Sequence, residues 1–266
     1  MSPKISIIIP TYKPKDYIWT CLDSVCAQTM SPELWEVIVV LNGCKAPWLK
    51  DLQAYALSHP DISIHVIQTD TAGVSNARNI GIDKAKGEYT TFIDDDDYVS
   101  PTYLEELYPL ATLDTIAASY TDAFDDYRQN IPYYVSAQYE KYAEKGKLPF
   151  YIPQSYFSGP CMKLIHRDII GERRFDTRFA LGEDSLFMFA ISNRMHYICF
   201  TSKNAIYYRR LRNNSASNSL TWIENFKNCY NLIKLYITIY RSDASYSFRF
   251  LVTRVLGGLH TMILNK

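Results

Sequence analysis

The 266-residue sequence lacks any long apolar run. No window approaches the roughly 18 to 20 consecutive apolar residues that a membrane-spanning helix requires. The first residues, MSPKI, hold no apolar stretch of the length found in a secretory signal. We therefore expect a cytoplasmic protein, either free or lying at the inner face of the plasma membrane.

Excess charge and cysteine pairs are lacking as well. The chain has 28 Lys and Arg against 28 Asp and Glu, a net charge of zero, which excludes a globally basic nucleic-acid binder. The six cysteines form no Cys-x-x-Cys pair, so we expect reduced, packed thiols rather than disulfides or a zinc site. Neither Gly-x-Gly-x-x-Gly nor Gly-x-x-x-x-Gly-Lys-Ser/Thr occurs, which disfavours nicotinamide dehydrogenases and P-loop ATPases.

Apolar residues, by contrast, are abundant. They make up 47% of the chain and charged residues 21%, proportions that are typical of a globular protein and exclude intrinsic disorder. Short β-branched runs alternate four times with helical periodicity, with strands predicted at residues 5–9, 37–41, 62–67 and 89–93. This pattern predicts an α/β fold, a mostly parallel, Rossmann-like sheet with helices on both faces, in which ligands bind beyond the carboxyl ends of the strands.

The chain divides by pattern into a core domain, residues 1–220, and a separate helical C-terminal extension, residues 221–266. The alternation holds to about residue 115 and weakens into mixed α+β sequence over residues 116–220. From residue 222 onward the extension has six basic and two acidic side chains, a net charge of +4, so the rest of the chain carries −4. Its apolar and basic residues recur at helical spacing, which predicts packing on the core domain, homodimerisation or contact with an anionic membrane.

Four consecutive aspartates follow the fourth strand, at residues 94–97. Adjacent carboxylates repel one another and contribute nothing to a core. Mg²⁺ and Mn²⁺ prefer hard oxygen ligands and take one or two carboxylates together with substrate phosphates. The run therefore predicts a site for a metal ion and a diphosphate; the alternative is a solvated acidic loop before the next helix.

Three further segments carry groups suited to anions or to proton transfer. Gly73 opens a helix whose backbone N–H groups and Arg78 suit a phosphate, although an ordinary capped helix accounts for the same residues. Glu183 and Asp184 precede an apolar helix, where a carboxylate either complements the helix dipole or acts as a general base. A basic segment suits either a diphosphate or a solvated surface, and it contains Arg209, Arg210 and Arg212.

Taken in order, four segments resemble the GT-A-fold glycosyltransferases of family 2: IIIPTY at residues 7–12, GVSNARN at 73–79, FIDDDD at 92–97 and GED at 182–184. The resemblance covers about residues 4–215. It implies a GT-A fold and a nucleotide-diphosphate sugar donor, usually UDP-linked, bound with Mn²⁺ or Mg²⁺ through an Asp-x-Asp type motif. It also implies hexosyl or N-acetylhexosaminyl transfer, with inversion, to a glycan or lipid-linked acceptor in cell-surface polysaccharide or glycan synthesis.

The resemblance also implies a role for each candidate residue. Asp96 is the principal metal ligand, with Asp94 beside it. Asp184 is the catalytic base, with Glu183 beside it. The basic segment closes over the diphosphate, and residues 157–167 border the acceptor. The residues on the nucleotide side are Pro10, Thr11, Tyr12, Asn42, Gly73, Arg78, Asp94 and Asp95.

One departure concerns the nucleobase. After the second strand the family commonly has Asp-Asp-Gly-Ser or Asp-Asn-Gly-Ser, whereas this chain has Leu41, Asn42, Gly43 and Cys44. The aspartate often assigned to the base is therefore missing. Asn42 both donates and accepts hydrogen bonds, so it remains able to read a pyrimidine edge.

Two rival functions stay open. A nucleotidyltransferase would carry a glycine-rich, basic loop after the first strand, and residues 10–14 are not glycine-rich. A non-catalytic sugar-nucleotide or glycan-binding protein would have no need of the aspartate run and of Glu183 and Asp184. The tyrosines of residues 127–157 predict either an aromatic platform for the acceptor or an ordinary half-buried surface. They include Tyr133, Tyr134, Tyr139, Tyr142, Tyr151 and Tyr156.

Overall fold

The structure, a computed structural model, describes residues 2–43, 45–212 and 221–264. Its strands are β1 (Ile5–Thr11), β2 (Trp35–Asn42), β3 (Ser63–Thr69), β4 (Tyr89–Phe92), β5 (Tyr98–Val99), β6 (Thr115–Ala118), β7 (Tyr120–Phe124), β8 (Leu148–Pro149), β9 (Lys163–His166), β10 (Tyr197–Phe200) and β11 (Ile206–Arg210). Its α-helices are α1 (Tyr17–Cys26), α2 (Trp48–Leu57), α3 (Val74–Lys84), α4 (Tyr103–Leu107), α5 (Tyr134–Tyr142), α6 (Arg167–Ile170), α7 (Glu183–Ala190), α8 (Trp222–Ser242) and α9 (Phe248–Leu264).

The strands form two sheets. The larger has the order β3-β2-β1-β4-β9-β6-β10-β8 and the smaller the order β5-β11-β7. Strands β3, β2, β1 and β4 run parallel, as do β6 and β10. Strand β9 is antiparallel to both of its neighbours, and β8 to β10. The predicted mostly parallel α/β sheet is confirmed, and its antiparallel strands lie in the second half of the chain, where the sequence pattern weakens.

Strand β2 shows how the sheet comes to be covered on both faces. All eight of its residues are buried, and side chains alternate across a strand. Val39 and Leu41 belong to the main core, whereas Ile38 and Val40 pack with Ala77 of α3 in a second cluster. The strand therefore belongs to two apolar layers, one on each face of the sheet. Burial of each Val, Leu or Ile side chain stabilises the fold by roughly 1.5 to 3 kcal/mol.

Some helices begin where capping residues in the sequence predict a start, and others do not. Helix α3 begins directly after Gly73, as predicted. Asp16 precedes α1, but it already has helical φ and ψ and its side chain makes no capping hydrogen bond; a capping side chain needs an extended backbone at that position. Ser100 and Pro101 are residue types that favour the start of a helix, so the sequence predicts one there. The helix begins instead at Tyr103, and the Ser100 hydroxyl accepts a hydrogen bond from the Ile206 N–H of β11.

The C-terminal extension is helical, as predicted, but it is not separate from the core. Helix α8 begins at Trp222 after a capping box formed by Thr221 and Glu224. Helices α8 and α9 pack on each other and on α7. Phe250 is fully buried, with its ring 5.6 Å from that of Phe189. Its neighbours belong to the same apolar cluster as the sheet. Within the described residues, no helix combines the length and apolarity needed to cross a bilayer.

The tyrosines of residues 127–157 do not share one surface. Tyr139 and Tyr156 are core residues, and their hydroxyls donate to the carbonyl oxygens of Thr201 and Ser119. Tyr134, at 53% exposure, is open to solvent. An aromatic platform built from the whole set is therefore ruled out, because members such as Tyr139 serve to pack the second half of the molecule.

Candidate active site

The carboxyl ends of β1, β2 and β4 meet at one edge of the larger sheet. Because these strands run parallel, the segments that follow them converge there. A cavity of about 660 Å³, the sheet-edge cavity, opens at this edge. It is lined by Pro10, Thr11, Tyr12, Tyr17, Asn42, Ala72, Gly73, Val74, Arg78, Asp94, Asp95, Asp96 and Arg212. Ten of these are residues that the sequence analysis singles out; Tyr17, Ala72 and Val74 are not.

Two carboxylates of the aspartate run are held at the cavity wall. The Thr11 hydroxyl donates to Asp95 Oδ2 at 2.5 Å, and Arg212 Nε lies 2.6 Å from Asp96 Oδ2. Burial raises the pKa of Asp95 to about 7. Burial also raises the pKa of Asp96, and the neighbouring Asp94 charge adds to that effect while Arg212 opposes it. Carboxylates whose ionised form is disfavoured in this way gain from a nearby cation.

The fourth aspartate does not line the cavity. Asp97 is buried and accepts hydrogen bonds from the Tyr207 hydroxyl at 2.6 Å and from the Arg210 N–H at 2.7 Å. Both donors belong to β11. The run therefore divides, because three aspartates face the cavity while the fourth fixes β11 beneath it.

Arg78 joins two distant parts of the chain. Its Nη2 lies 2.7 Å from Asp94 Oδ1 and its Nη1 2.5 Å from Asp184 Oδ1, although Asp184 lies 106 positions further along the chain. Arg78 is itself buried, and its guanidinium lies over the Phe175 ring at 5.4 Å. Burial raises the pKa of Asp94, but the charges of Arg78 and Arg209 outweigh it, so this pKa lies below its ordinary value.

Glu183 and Asp184 form the first turn of α7. Gly182 precedes them in the left-handed region, with φ of +84°, where a residue with a side chain would be strained. Burial, followed by the Asp184 charge, raises the pKa of Glu183 to about 7. Burial raises the pKa of Asp184 as well, and the Arg78 charge offsets part of that rise. Both carboxyl groups thus hold a proton more readily than an exposed carboxyl group, which suits a general base.

A buried lysine that the sequence analysis missed lies close to this pair. Lys163 is 1% exposed, and its Nζ donates to the carbonyl oxygens of Gly159 and Cys161 at 2.8 and 2.6 Å. Gly159 in turn lies next to Asp184, since a Cβ added at Gly159 would be 3.7 Å from Asp184 Oδ2. Burial lowers the pKa of Lys163 to about 7. Lys163 lies within residues 157–167, the segment that the resemblance places at the acceptor, but nothing in the sequence distinguishes it there from an exposed lysine.

The basic segment does not act as one unit. Arg212 lines the sheet-edge cavity and lies over the Tyr17 ring at 5.7 Å. Arg210 pairs with Asp126 at 2.6 Å, away from the cavity. Arg209 lies over the Tyr133 ring at 5.6 Å, and its charge acts on Asp94 and Asp97 without a direct contact. The part of the predicted closing loop beyond residue 212 lies outside the described residues.

Asn42 holds the cavity wall together. Its amide nitrogen donates to the Thr11 carbonyl at 2.7 Å, and its amide oxygen accepts from the Gly73 N–H at 2.9 Å. The side chain is buried, and both of its polar ends are used by the backbone. Next to it, Gly43 has φ of +89°, and a Cβ there would lie 2.8 Å from the Tyr12 ring. A glycine is therefore required beside Tyr12.

The donor set of the cavity fits a divalent cation that completes its coordination with phosphate oxygens. In the parts of the chain that the structure describes, no group of three or more His, Cys, Asp or Glu side chains is placed to hold a metal by itself. Asp96 and Asp94 nevertheless present carboxylate oxygens at the wall, each balanced by an arginine. Mg²⁺ and Mn²⁺ are commonly held by one or two carboxylates plus substrate phosphates.

Comparison with known proteins agrees with this geometry. The family model described as Glycosyl transferase family 2 matches residues 6–174, more than half of the chain. The uncharacterized glycosyltransferase EpsJ of Bacillus subtilis is 36% identical over 135 residues, which cover 50% of this chain and 38% of EpsJ. The chain thus matches well under half the length of this curated relative.

Two solved structures have the same fold. One is S. aureus TarS in complex with UDP-GlcNAc, with a TM-score of 0.71, 19% identity, and coverage of 97% of this chain and 72% of that one. The other is a mannosyltransferase from Pyrobaculum calidifontis in complex with GDP-Man and Mn²⁺, with a TM-score of 0.64, 14% identity, and coverage of 100% and 71%. With these folds and the matching family model together, the chain belongs to glycosyltransferase family 2.

Proposed function

We propose that this chain is an inverting glycosyltransferase that moves a sugar from a nucleotide-diphosphate sugar, UDP-linked in the first instance, to a hydroxyl group of a glycan or lipid-linked acceptor. The observation that carries the proposal is the double ion pair of Arg78. It connects Asp94, on the side of the predicted metal and diphosphate, with Asp184, the predicted base. The two halves of a transfer site are thereby held in one rigid unit.

Asp184 is the residue to which we assign proton removal. The acceptor oxygen attacks the anomeric carbon, the bond from that carbon to the phosphate oxygen breaks, and its electron pair leaves with the nucleoside diphosphate. The hydroxyl proton passes to the Asp184 carboxylate. A sugar hydroxyl is a weak nucleophile at neutral pH, so a positioned base contributes strongly. The raised pKa of Asp184 supports this role.

Stabilisation of the departing diphosphate falls to the opposite wall of the cavity. Asp96, with Asp94 beside it, would hold Mn²⁺ or Mg²⁺, which neutralises the negative charge that grows on the leaving group. Arg212 is the arginine best placed to contact the diphosphate, because its side chain is half exposed in the cavity. We assign Arg209 and Arg210 to positioning the aspartate run rather than to direct contact.

The nucleotide is assigned to the Tyr12 side of the cavity. Pro10, Thr11 and Tyr12 follow β1, and Tyr12 offers a ring that is 49% exposed. Asn42, with both ends of its amide engaged by the backbone, shapes this wall rather than reading the base. TarS bound to UDP-GlcNAc and the mannosyltransferase bound to GDP-Man support a nucleotide sugar and define the first two nucleotides to test.

Calorimetric titration of the full chain with UDP and GDP, each with Mn²⁺ or with a chelator, tests the donor half of the proposal. We expect UDP to bind with Mn²⁺ and to bind at least tenfold more weakly with the chelator or in Asp96→Ala. Asp83→Asn is the matched control, since Asp83 is exposed and pairs with Arg174 outside the cavity. Failure of every nucleoside diphosphate to bind would overturn the assignment.

A further inference from the structure

A second cavity, of about 400 Å³, lies between α7, α8 and α9. We call it the helical cavity. Among the described residues it shares no lining residue with the sheet-edge cavity. Polar groups enter its wall from all three helices, and they include Ser185, Asn225, Asn228 and Arg254.

Arg254 is the unusual member of this wall. Its Nη1 donates to the Ser185 hydroxyl at 3.1 Å and its Nη2 to the Gln154 carbonyl at 3.0 Å, both of them neutral groups. Its buried Nε has no hydrogen-bond partner among the described residues. Burial lowers the pKa of Arg254, and only Tyr236 and Tyr134 oppose that effect. No carboxylate of the described residues pairs with this guanidinium.

The positive charge of Arg254 is therefore not neutralised by a carboxylate of the described residues. Arg254 is half-buried, and its guanidinium lies over the Phe250 ring at 4.5 Å. This ring contact offsets only part of the cost of withdrawing a cation from water without an opposite charge, and an anion that enters beside it relieves more of that cost.

The guanidinium, the Ser185 hydroxyl and the asparagine amides line the cavity from different helices. The Asn228 amide nitrogen already donates to the Leu181 carbonyl at 3.0 Å, so the guanidinium is the main donor left for a ligand. Arg254 uses two of its five N–H groups, on Ser185 and Gln154, which leaves donors on the guanidinium for the oxygens of a phosphate group. The cavity is also far larger than one phosphate, so the anion would belong to a larger molecule.

We propose that the helical cavity binds a phosphate group of the acceptor, with Arg254 as its principal ligand. That the phosphate belongs to the acceptor rests on the function proposed above. Ser185 follows Asp184 directly in α7, and successive side chains of a helix point about 100° apart. A phosphate held at Ser185 and Arg254 would therefore lie on the face of α7 next to that of the proposed base, and outside the donor cavity. The phosphate is carried either by a soluble phosphodiester or by a lipid.

A pair of substitutions at Gly257 tests the site without removing Arg254. Gly257 lines the helical cavity, and a Cβ at this position would meet nothing within 4 Å. Gly257→Asp therefore places a carboxylate in the cavity as a competing anion, and Gly257→Asn is its uncharged control of equal size. Arg254→Met removes the ligand, and Arg249→Gln removes an exposed arginine of the same helix.

The measurement is calorimetric titration of the full chain with inorganic phosphate and with glycerol phosphate, with and without UDP and Mg²⁺. We expect phosphate to bind without competition from UDP, at least tenfold more weakly in Gly257→Asp and Arg254→Met, and unchanged in Gly257→Asn and Arg249→Gln. Equal binding by Gly257→Asp and the native chain, or no phosphate binding by the native chain, would overturn the proposal. Phosphate binding without UDP binding would leave this site standing and remove the proposed donor.

Flotation with phosphatidylcholine vesicles that contain phosphatidic acid separates the two sources. Vesicle binding that Gly257→Asp weakens and Gly257→Asn does not supports a lipid-linked phosphate. Binding of glycerol phosphate alone, with the same dependence on the Gly257 substitutions, supports a soluble phosphodiester.

Discussion

The two cavities differ in how their charges are balanced. In the sheet-edge cavity Arg78 is shared by Asp94 and Asp184, and Asp96 pairs with Arg212. In the helical cavity Arg254 donates only to neutral oxygens. In the first, each of these arginines is paired with a carboxylate, while Asp95, among the described residues, accepts only from the Thr11 hydroxyl and its raised pKa means that the site still gains from a cation. The second has a cation that no carboxylate of the described residues pairs with, which is the arrangement expected where the ligand itself supplies the missing charge.

The contrast also separates chemistry from recognition. A rigid ion-pair network holds a base and a cation site in fixed relation, which is what a group-transfer step requires. An uncompensated arginine contributes little to rigidity but discriminates strongly between charged and neutral ligands.

Asp184→Asn removes the proposed base from the balanced network. The amide oxygen still accepts a hydrogen bond from Arg78, but it takes up no proton. We expect transfer to fall about 10²- to 10⁴-fold, while donor affinity changes less than about threefold. Turnover assays and calorimetry on the same preparation measure both effects. Full activity in this variant would remove Asp184 from the mechanism.

Phe250→Ala tests whether the helical cavity is built on the shared core. Phe250 is fully buried against Phe189, so its truncation should cost about 3 to 5 kcal/mol of unfolding free energy. Phe248, two residues earlier in α9, is 62% exposed and serves as the control. Phe248→Ala should change stability by less than about 0.5 kcal/mol. Equal denaturation midpoints for both variants would mean that the extension does not stabilise the core.

Arg78→Lys tests the bridge itself. A lysine has one charged nitrogen, and it lacks the planar fork that reaches Asp94 and Asp184 together. We expect transfer to fall about tenfold or more, with a smaller loss of donor affinity. Arg174→Lys, at a pair outside the cavity, is the control. If Arg78→Lys keeps native turnover, the shared ion pair has no role in coupling the two sides.

Glu183 gives a pH dependence of stability with a defined sign. Its pKa in the folded chain is about 7, above the ordinary value of 4.5, because of burial. Its stabilising contribution is therefore full below about pH 4.5 and is lost as the pH rises through about 7. The free energy of unfolding should therefore fall between about pH 5 and 8, by about 1.4 kcal/mol for each unit by which the pKa is raised. Glu183→Gln should remove this part of the fall, which denaturation curves recorded across that pH range measure. The exposed Glu172→Gln should leave the slope unchanged; an unchanged slope in Glu183→Gln would contradict the assignment.

The sequence predicts the sheet and most of the sheet-edge cavity, because buried parallel strands have a recognisable pattern and their ends fall together. The sequence does not predict which of the four aspartates line the cavity and which one is buried below it. Asp97 turns inward because Tyr207, far along the chain, donates to it. The role of Asn42 likewise depends on the backbone of Thr11 and Gly73.

The C-terminal extension shows the same limit more sharply. Its amphipathic pattern fits packing on the core, dimerisation or membrane contact equally well, and only the tertiary contacts of residues such as Phe250 distinguish these outcomes. Arg254 looks in sequence like any other basic residue of the extension. Its missing partner is a property of the folded neighbourhood, which no local spacing encodes.

Release of free nucleoside diphosphate from a panel of UDP- and GDP-sugars distinguishes the proposed glycosyltransferase from both of its rivals. We predict release from at least one UDP-sugar that depends on Mn²⁺ or Mg²⁺, and its loss in Asp184→Asn with donor binding retained. Tight, metal-dependent binding of a nucleotide sugar with no release from any of them would indicate a binding protein. Release of pyrophosphate from a nucleoside triphosphate would indicate a nucleotidyltransferase, and either result would contradict the proposed function.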